Sequence, residues 1–365
     1  MILSFFLLIL FSVTPSWSYP EFSRHGYANC IACHVSPSGG GVLNPYGREL
    51  SKEALSTWGA KNEQLFAYGL VKTPPHVNLQ GFGRVLQIHR ETPTVKQART
   101  IIMQADLEAS YTYKKLTLVG SVGRQEQIQE GDKVILPISR RHYVLWQPKD
   151  NILVRTGKFN RYFGLNTPYH TSYVQRDLLF GQDTESYNLE LSYYYEKFTV
   201  FLTSIFGNFQ DKTSFATEKA QTASVQYYFD KQKVGLSYLY GTDEANKRNV
   251  LGPWFILSYQ KNFYWMSELF YQNKVAKESG DSAKGYTSTN RFNYELYKGF
   301  IPFLTFESSQ IDWTAEATKK QSYGVGVQWF PRPHWELMGT YQKDRLYIGD
   351  GYFADTFWFM ANFYL

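Results

Sequence analysis

From Val77 onward, apolar and polar residues alternate along the chain with a period of two, in runs separated by turn-forming residues. Leu116–Val122, Tyr187–Tyr193, Val225–Phe229 and Gly324–Trp329 show the pattern most plainly. Successive side chains of a strand point to opposite faces, so this alternation predicts strands with one apolar and one wet face. No helical period survives more than a few residues here. Strands of this kind suit a barrel that meets lipid outside and water inside.

The connections carry more information than the strands. Short turns are expected at Lys114–Lys115, Pro148–Asp150, Glu196–Lys197, Asp230–Lys231, Lys261–Asn262, Lys298–Gly299 and Pro331–Pro333. Longer polar stretches fall between them, around 90–98, 125–137, 159–185, 207–220, 241–252, 274–285, 310–320 and 344–352. Seven short turns alternating with eight longer stretches predict an all-β chain, a 16-stranded antiparallel transmembrane β-barrel over residues 76–365. Bacterial barrels keep short turns on the periplasmic side and long loops outside, which puts both ends of the barrel, and whatever precedes it, on the periplasmic side. Phe357, Phe359, Ala361, Phe363 and Leu365 share one face of the closing strand, the aromatic ending expected of an outer-membrane barrel. The competing reading is a soluble secreted β-protein, which needs a second sheet to cover its aromatics.

Composition sharpens this picture. Aromatic residues make up 18% of the chain, yet the mean hydropathy is that of a polar protein. Both hold at once if aromatics alternate with polar residues instead of filling a central core. The formal charge of +6 is spread without a basic block, so nucleic acid is not an expected partner.

Ahead of the barrel, Met1–Val13 is an apolar run ended by Thr14-Pro15 and followed by Ser16-Trp17-Ser18, with small residues at both cleavage positions. It reads as a secretory signal peptide over residues 1–18, with a retained anchor as the alternative. Residues 19–75 make a small segment with helix candidates at Gly47–Trp58 and Glu63–Tyr68, closed by Thr73-Pro74-Pro75. A piece of that size gains its order from a cofactor or from packing against something larger.

That segment holds Cys30-Ile31-Ala32-Cys33-His34, the C-x-x-C-H signature of c-type haem attachment. Two thiols at this spacing add to the two vinyl groups of one haem, while His34 meets the iron from one face. One covalent haem c on Cys30 and Cys33, with His34 as axial ligand, is the expected cofactor. The two cysteines are the chain's full complement, so no disulfide framework exists. A zinc half-site is the plainer reading of C-x-x-C, but its other ligands are missing. For the sixth iron ligand, no Met stands between Met1 and Met103. That leaves His25 or His76, then His89 and His170, or a five-coordinate iron.

Around the motif the chain reads Phe22-Ser23-Arg24-His25-Gly26, then Cys30 to His34, then Leu43-Asn44-Pro45-Tyr46-Gly47-Arg48. Over these roughly 30 residues it resembles the fused monohaem cytochrome-porins of bacterial outer membranes, best known from iron-oxidising bacteria. There, an aromatic-small-Arg-x-x-Gly element precedes C-x-x-C-H and an aromatic-Gly-Arg element follows it. This chain departs at the insertion Ser36–Gly41, and Glu49–Lys52 stands where the family continues Phe-Lys-x-x-Gly-Tyr. The resemblance therefore implies the architecture without naming iron as the substrate. It implies a one-electron conduit in the outer membrane, with an external donor or acceptor on one side. On the other side stands a periplasmic electron-transfer protein such as a soluble cytochrome.

A second class is a diffusion porin whose haem-bearing segment is a plug, tether or sensor. A haem peroxidase needs an open iron position and distal polar groups, and only Arg24 and His25 lie near the motif in sequence. The chain has no nucleophile–base pairing, no H-E-x-x-H and no phosphate-cradling loop, and Gly39-Gly40-Gly41 reads as a turn. An electron-transfer role is thus expected over substrate conversion. The stretch 159–185 carries Arg161, Tyr162, Tyr169, His170, Tyr173 and Arg176. Long loops are often functional; this one either folds inward to narrow the lumen or stays outside with an aromatic rim.

Overall fold

Beyond Pro75 the chain forms one antiparallel sheet that closes on itself. The structure, a computed structural model, describes residues 20–365 apart from 130–131, 170, 181–183, 210–216, 261 and 347–352. The expected signal peptide and His170 lie outside the described residues. The strands are β1 Val77–Glu91, β2 Lys96–Tyr113, β3 Leu116–Gln129, β4 in two pieces (Asp132–Ile138 and His142–Lys149), β5 Ile152–Phe159, β6 Ser186–Tyr195, β7 Phe198–Gly207 and β8 Lys219–Phe229. They continue as β9 Gln232–Thr242, β10 Asn246–Ser258, β11 Phe263–Ala276, β12 Ser282–Tyr294, β13 Phe300–Gln310, β14 Lys319–Trp329, β15 Trp335–Leu346 and β16 Phe353–Tyr364. Both pieces of β4 pair with β3, at Gly123↔Ile138 and Gly120↔His142, so they share one place in the sheet. Each strand pairs with the next, and β16 returns to β1 from Phe82↔Tyr364 to Glu91↔Asp355. The result is a closed 16-stranded antiparallel barrel, in which closure removes the exposed edge that an open sheet must protect.

The period-two pattern sorts the two faces. On β6, Ser186, Asn188, Glu190 and Ser192 are buried in the lumen, while Leu189, Leu191, Tyr193 and Tyr195 face out. On β7, Phe198, Leu202 and Phe206 face out, aromatic at both ends and aliphatic between, and Phe198 to Phe206 spans about 26 Å along the strand. Tyr113, Trp146, Phe263, Tyr294 and Trp335 ring the short-turn end, and Tyr240, Tyr271, Tyr323, Tyr341 and Phe353 ring the other. An apolar belt between aromatic rims is the exterior of a membrane barrel.

The short turns fall where expected, apart from the one at Lys261–Asn262, whose Lys261 lies outside the described residues. At 230–231, Asp230 and Lys231 both take left-handed backbone (φ 39° and 66°), the twist that a two-residue hairpin demands. Several stretches read as long loops are instead strand tips: β1 runs to Glu91 and β2 resumes at Lys96, and only residues 243–245 separate β9 from β10. Polar composition marks where an apolar belt ends, but the hydrogen-bond ladder continues beyond it.

Residues 20–76 enter the lumen from the short-turn end. Arg24 pairs with Glu295 at 2.6 Å, Thr57 N–H donates to the Phe330 carbonyl at 2.8 Å, and Tyr68 OH donates to the Pro333 carbonyl at 2.8 Å. Helix α1, Pro45–Leu50, is capped by Asn44 and runs into one wider turn, Ser51–Leu55, so the helix expected at Gly47–Trp58 starts earlier and ends sooner. The one expected at Glu63–Tyr68 is only a tight turn at Phe66–Gly69, because Ala67 and Tyr68 take positive φ. The main hydrophobic cluster joins Phe22, Leu50 and Leu55 of this plug to Phe201, Trp254 and Tyr264 of the lumenal wall.

Candidate haem site

The motif is a single tight turn. Cys33 N–H and His34 N–H both donate to the Cys30 carbonyl, at 3.1 and 2.9 Å. The chain then doubles back, with Val35 N–H donating to the Val42 carbonyl at 3.0 Å and His34 bridging Leu43. The return requires left-handed backbone at Gly39, Gly40 and Gly41 (φ +78°, +67° and +66°), which glycine adopts without steric cost. Space is short as well: a Cβ at Gly39 would lie 3.3 Å from Cys30 Sγ, and one at Gly41 would run into Arg141 and Glu108. The stretch Ser36–Gly41 is therefore a hairpin tip fitted against the barrel wall. Gly47 lets α1 lie on the motif, since a Cβ there would collide with the Cys33 carbonyl. Arg48, buried, donates to the Leu365 carbonyl at 2.9 Å and the Gln80 side chain at 3.1 Å. That ties the helix to the seam where the barrel closes.

Cys30, Cys33 and His34 line one cavity of about 270 Å³. Its apolar walls include Phe22 and Leu50 of the plug with Phe82, Phe159, Tyr162 and Phe180 of the barrel and its loop, and Arg84, Arg140, Arg141, Arg155 and Lys233 supply positive charge. Both cysteines are free thiols. Burial pushes Cys33 up to about 12 and raises Cys30 too, opposed there first by the charge of Lys233. Burial pushes His34 down to about 4 against the opposing backbone of Gly41, so its imidazole is neutral near pH 7. Its buried Nδ1 meets no hydrogen-bond partner. Two thiols and a neutral imidazole on an apolar cavity with a cationic margin fit a flat macrocycle that carries an iron and two carboxylates.

The structure places His25, His76 and His89 away from the cavity. His25 packs on Phe22, ring centroids 5.7 Å apart; His76 is exposed just before β1, and His89 is exposed on that strand. None of these lines the cavity, nor does Arg24, the distal group of a peroxidase reading.

The stretch after β5 folds inward. Tyr162 OH donates to Gln226 at 2.8 Å, Gly164 N–H to Ser237 at 3.1 Å, Leu165 N–H to Glu268 at 2.8 Å and Tyr173 N–H to Glu307 at 2.6 Å. Helix α2, Tyr173–Asp177, is capped by Ser172. Asn166 donates to the Ser38 carbonyl, so loop and plug meet over the cavity.

Sequence reasoning missed the wall itself. Arg155 pairs with Glu190 at 2.7 Å, Arg141 with Glu108 at 3.1 Å and Arg140 with Asp106 at 3.1 Å. The available signal was charge at inward positions of strands; the partners follow from register, Arg155 standing opposite Glu190.

No protein-family model and no curated protein matches the sequence. Solved structures do align. The outer membrane channel DcaP of Acinetobacter baumannii is 13% identical over 79% of this chain and 97% of that one, with a TM-score of 0.57. OmpT of Vibrio cholerae is 12% identical over 81% of this chain and 100% of that one, at 0.56. The anion-selective porin from Comamonas acidovorans is 10% identical over 79% and 99%, at 0.58. The chain has a porin-type fold. At these identities the likeness is one of architecture, and it extends to nearly the whole of each porin-type barrel.

Proposed function

We propose that this protein is a bacterial outer-membrane barrel holding one covalent c-type haem in its lumen. It passes single electrons between a donor or acceptor outside the cell and a periplasmic carrier such as a soluble cytochrome. The observation that carries this reading is that Cys30, Cys33 and His34 line a cavity inside the barrel, where the strand wall shields a bound group from lipid. Cys30 and Cys33 would hold the group through thioethers and His34 through its imidazole; when bound, the haem would supply a one-electron couple. The cavity runs from Lys233, near the start of β9, to Arg84 and Gln104, midway along β1 and β2. Arg84, which lines the cavity, would offer positive charge to a haem carboxylate. The plug closes the lumen on the short-turn side, and the inward loop narrows it from the other.

The apolar belt with aromatic rims and the porin-type fold support placement in the outer membrane. The resemblance around Cys30–His34 supports the fusion of cytochrome and barrel. A diffusion porin with a haem-bearing plug is the second reading, favoured by neighbours that are themselves a channel and an anion-selective porin.

The test uses liposomes carrying the protein, a reductant sealed inside and an acceptor outside, both too large for the lumen. Transfer is expected in the wild type and not in Cys30→Ala/Cys33→Ala, which should lack covalent haem stain. Equal transfer by the two, or none by either while small sugars equilibrate, rejects the conduit in favour of the porin.

A further inference from the structure

The cavity wall holds a cation that the fold leaves without an acid. Arg140, Arg141 and Arg155 are each paired, with Asp106, Glu108 and Glu190. Lys233 is 3% exposed and lines the same cavity, and among the described residues no carboxylate pairs with it. Its ammonium has the face of Trp254, 5.8 Å from the ring centroid. Beyond that it has the neighbourhood of Cys30: both line the cavity, and Gln226, opposite Gly235 two positions from Lys233, donates at 3.5 Å to Asn29, the residue before Cys30. Burying a cation without a partner is costly, so its position on the wall calls for a group that uses the nitrogen.

We infer that Lys233 is the second axial ligand of the haem iron, opposite His34; this rests on the haem reading above. A haem offers an amine two partners, its carboxylates and its iron. The thioether carbons sit on the two pyrroles that carried vinyl groups, and the carboxylates leave from the other two, at the opposite edge. A haem held by Cys30 would present its thioether edge to Lys233, leaving the iron nearer to the amine than the carboxylates. Arg84, midway along β1, lines the same cavity farther from the short-turn end. Ligation involves no redox change: the ammonium releases its proton to water as the nitrogen lone pair bonds to iron. No methionine and no histidine other than His34 lines the cavity among the described residues.

The test is the absorption and electron paramagnetic resonance spectra of the full-length, haem-loaded protein in detergent. The wild type is expected to be low-spin and six-coordinate when oxidised. Lys233→Ala and Lys233→Arg should both lose the low-spin signal and turn high-spin at neutral pH, because a guanidinium stays protonated and cannot ligate. Covalent haem stain and heat-modifiable mobility, both retained, show that attachment and barrel persist. Low-spin spectra in both variants, or a high-spin wild type, overturn the assignment. So does rescue by Arg alone, which shows that only the charge matters. Absence of haem stain from the wild type instead rejects the haem reading itself.

Discussion

Arg155 and Glu190 face each other across β5 and β6, 2.7 Å apart, with both side chains closed to solvent. The same guanidinium donates to Ser36 and Ser38 of the plug hairpin at 2.9 and 3.0 Å, and lies over Phe159, 3.7 Å from the ring centroid. One wall residue thus serves the barrel's acid and the plug's hydroxyls together. A charge made necessary by the barrel becomes the seat of the segment inside it.

These two roles separate by substitution. Glu190→Ala leaves Arg155 buried and charged without its acid, a loss of about 3–5 kcal/mol. Its unboiled barrel should convert to the unfolded mobility at a lower temperature than wild type. Ser36→Ala/Ser38→Ala keeps the ion pair, so the barrel's transition should stay in place while limited proteolysis cuts the plug faster. An equal shift of the barrel transition in both variants would show that the roles are not separate.

Gly47→Ala places a methyl against the Cys33 carbonyl and pushes α1 off the motif. Covalent haem stain per barrel should fall several-fold. Gly83→Ala is the control, since a Cβ there meets nothing within 4 Å, and its stain should match wild type.

Glu268 and Glu307 accept from the backbone N–H groups of Leu165 and Tyr173, each a hydrogen bond worth roughly 0.5–1.5 kcal/mol. Replacing both by Ala should loosen the inward loop and raise sugar permeation through reconstituted barrels several-fold. Unchanged permeation would assign the constriction to the plug alone.

His334, between β14 and β15, docks the plug through Nε2 and the Glu63 carbonyl, 2.6 Å apart. Burial holds it down to about 4, against about 6.5 for a free histidine. The docked state resists protonation and the released state does not. Docking is therefore at full strength above pH 6.5 and weakens as pH falls toward 4, by about 3 kcal/mol at most. Proteolysis of residues 56–72 should accelerate over that window, and His334→Gln should flatten the profile.

The sequence alone determined the barrel, its strand number and its short turns, and it put forward Cys30-Ile31-Ala32-Cys33-His34 as the residues of the proposed haem site, because each is written locally. Alternation along β6 gives two faces, Asp230-Lys231 gives a hairpin, and two cysteines three positions apart followed by a histidine give the spacing on which the haem proposal rests. Tertiary structure alone decided that the plug lies in the lumen, that the stretch after β5 turns inward, and that Lys233 reaches the cavity of Cys30. Period two tells which face a side chain takes but not what stands across a closed lumen. That depends on ring closure through Phe82↔Tyr364 and on register summed over every strand between. The sixth-ligand candidates drawn from nearby sequence, His25 and His76, lie off the cavity for the same reason. Closure brings residues some two hundred positions apart against the motif, and proximity along the chain says nothing of them.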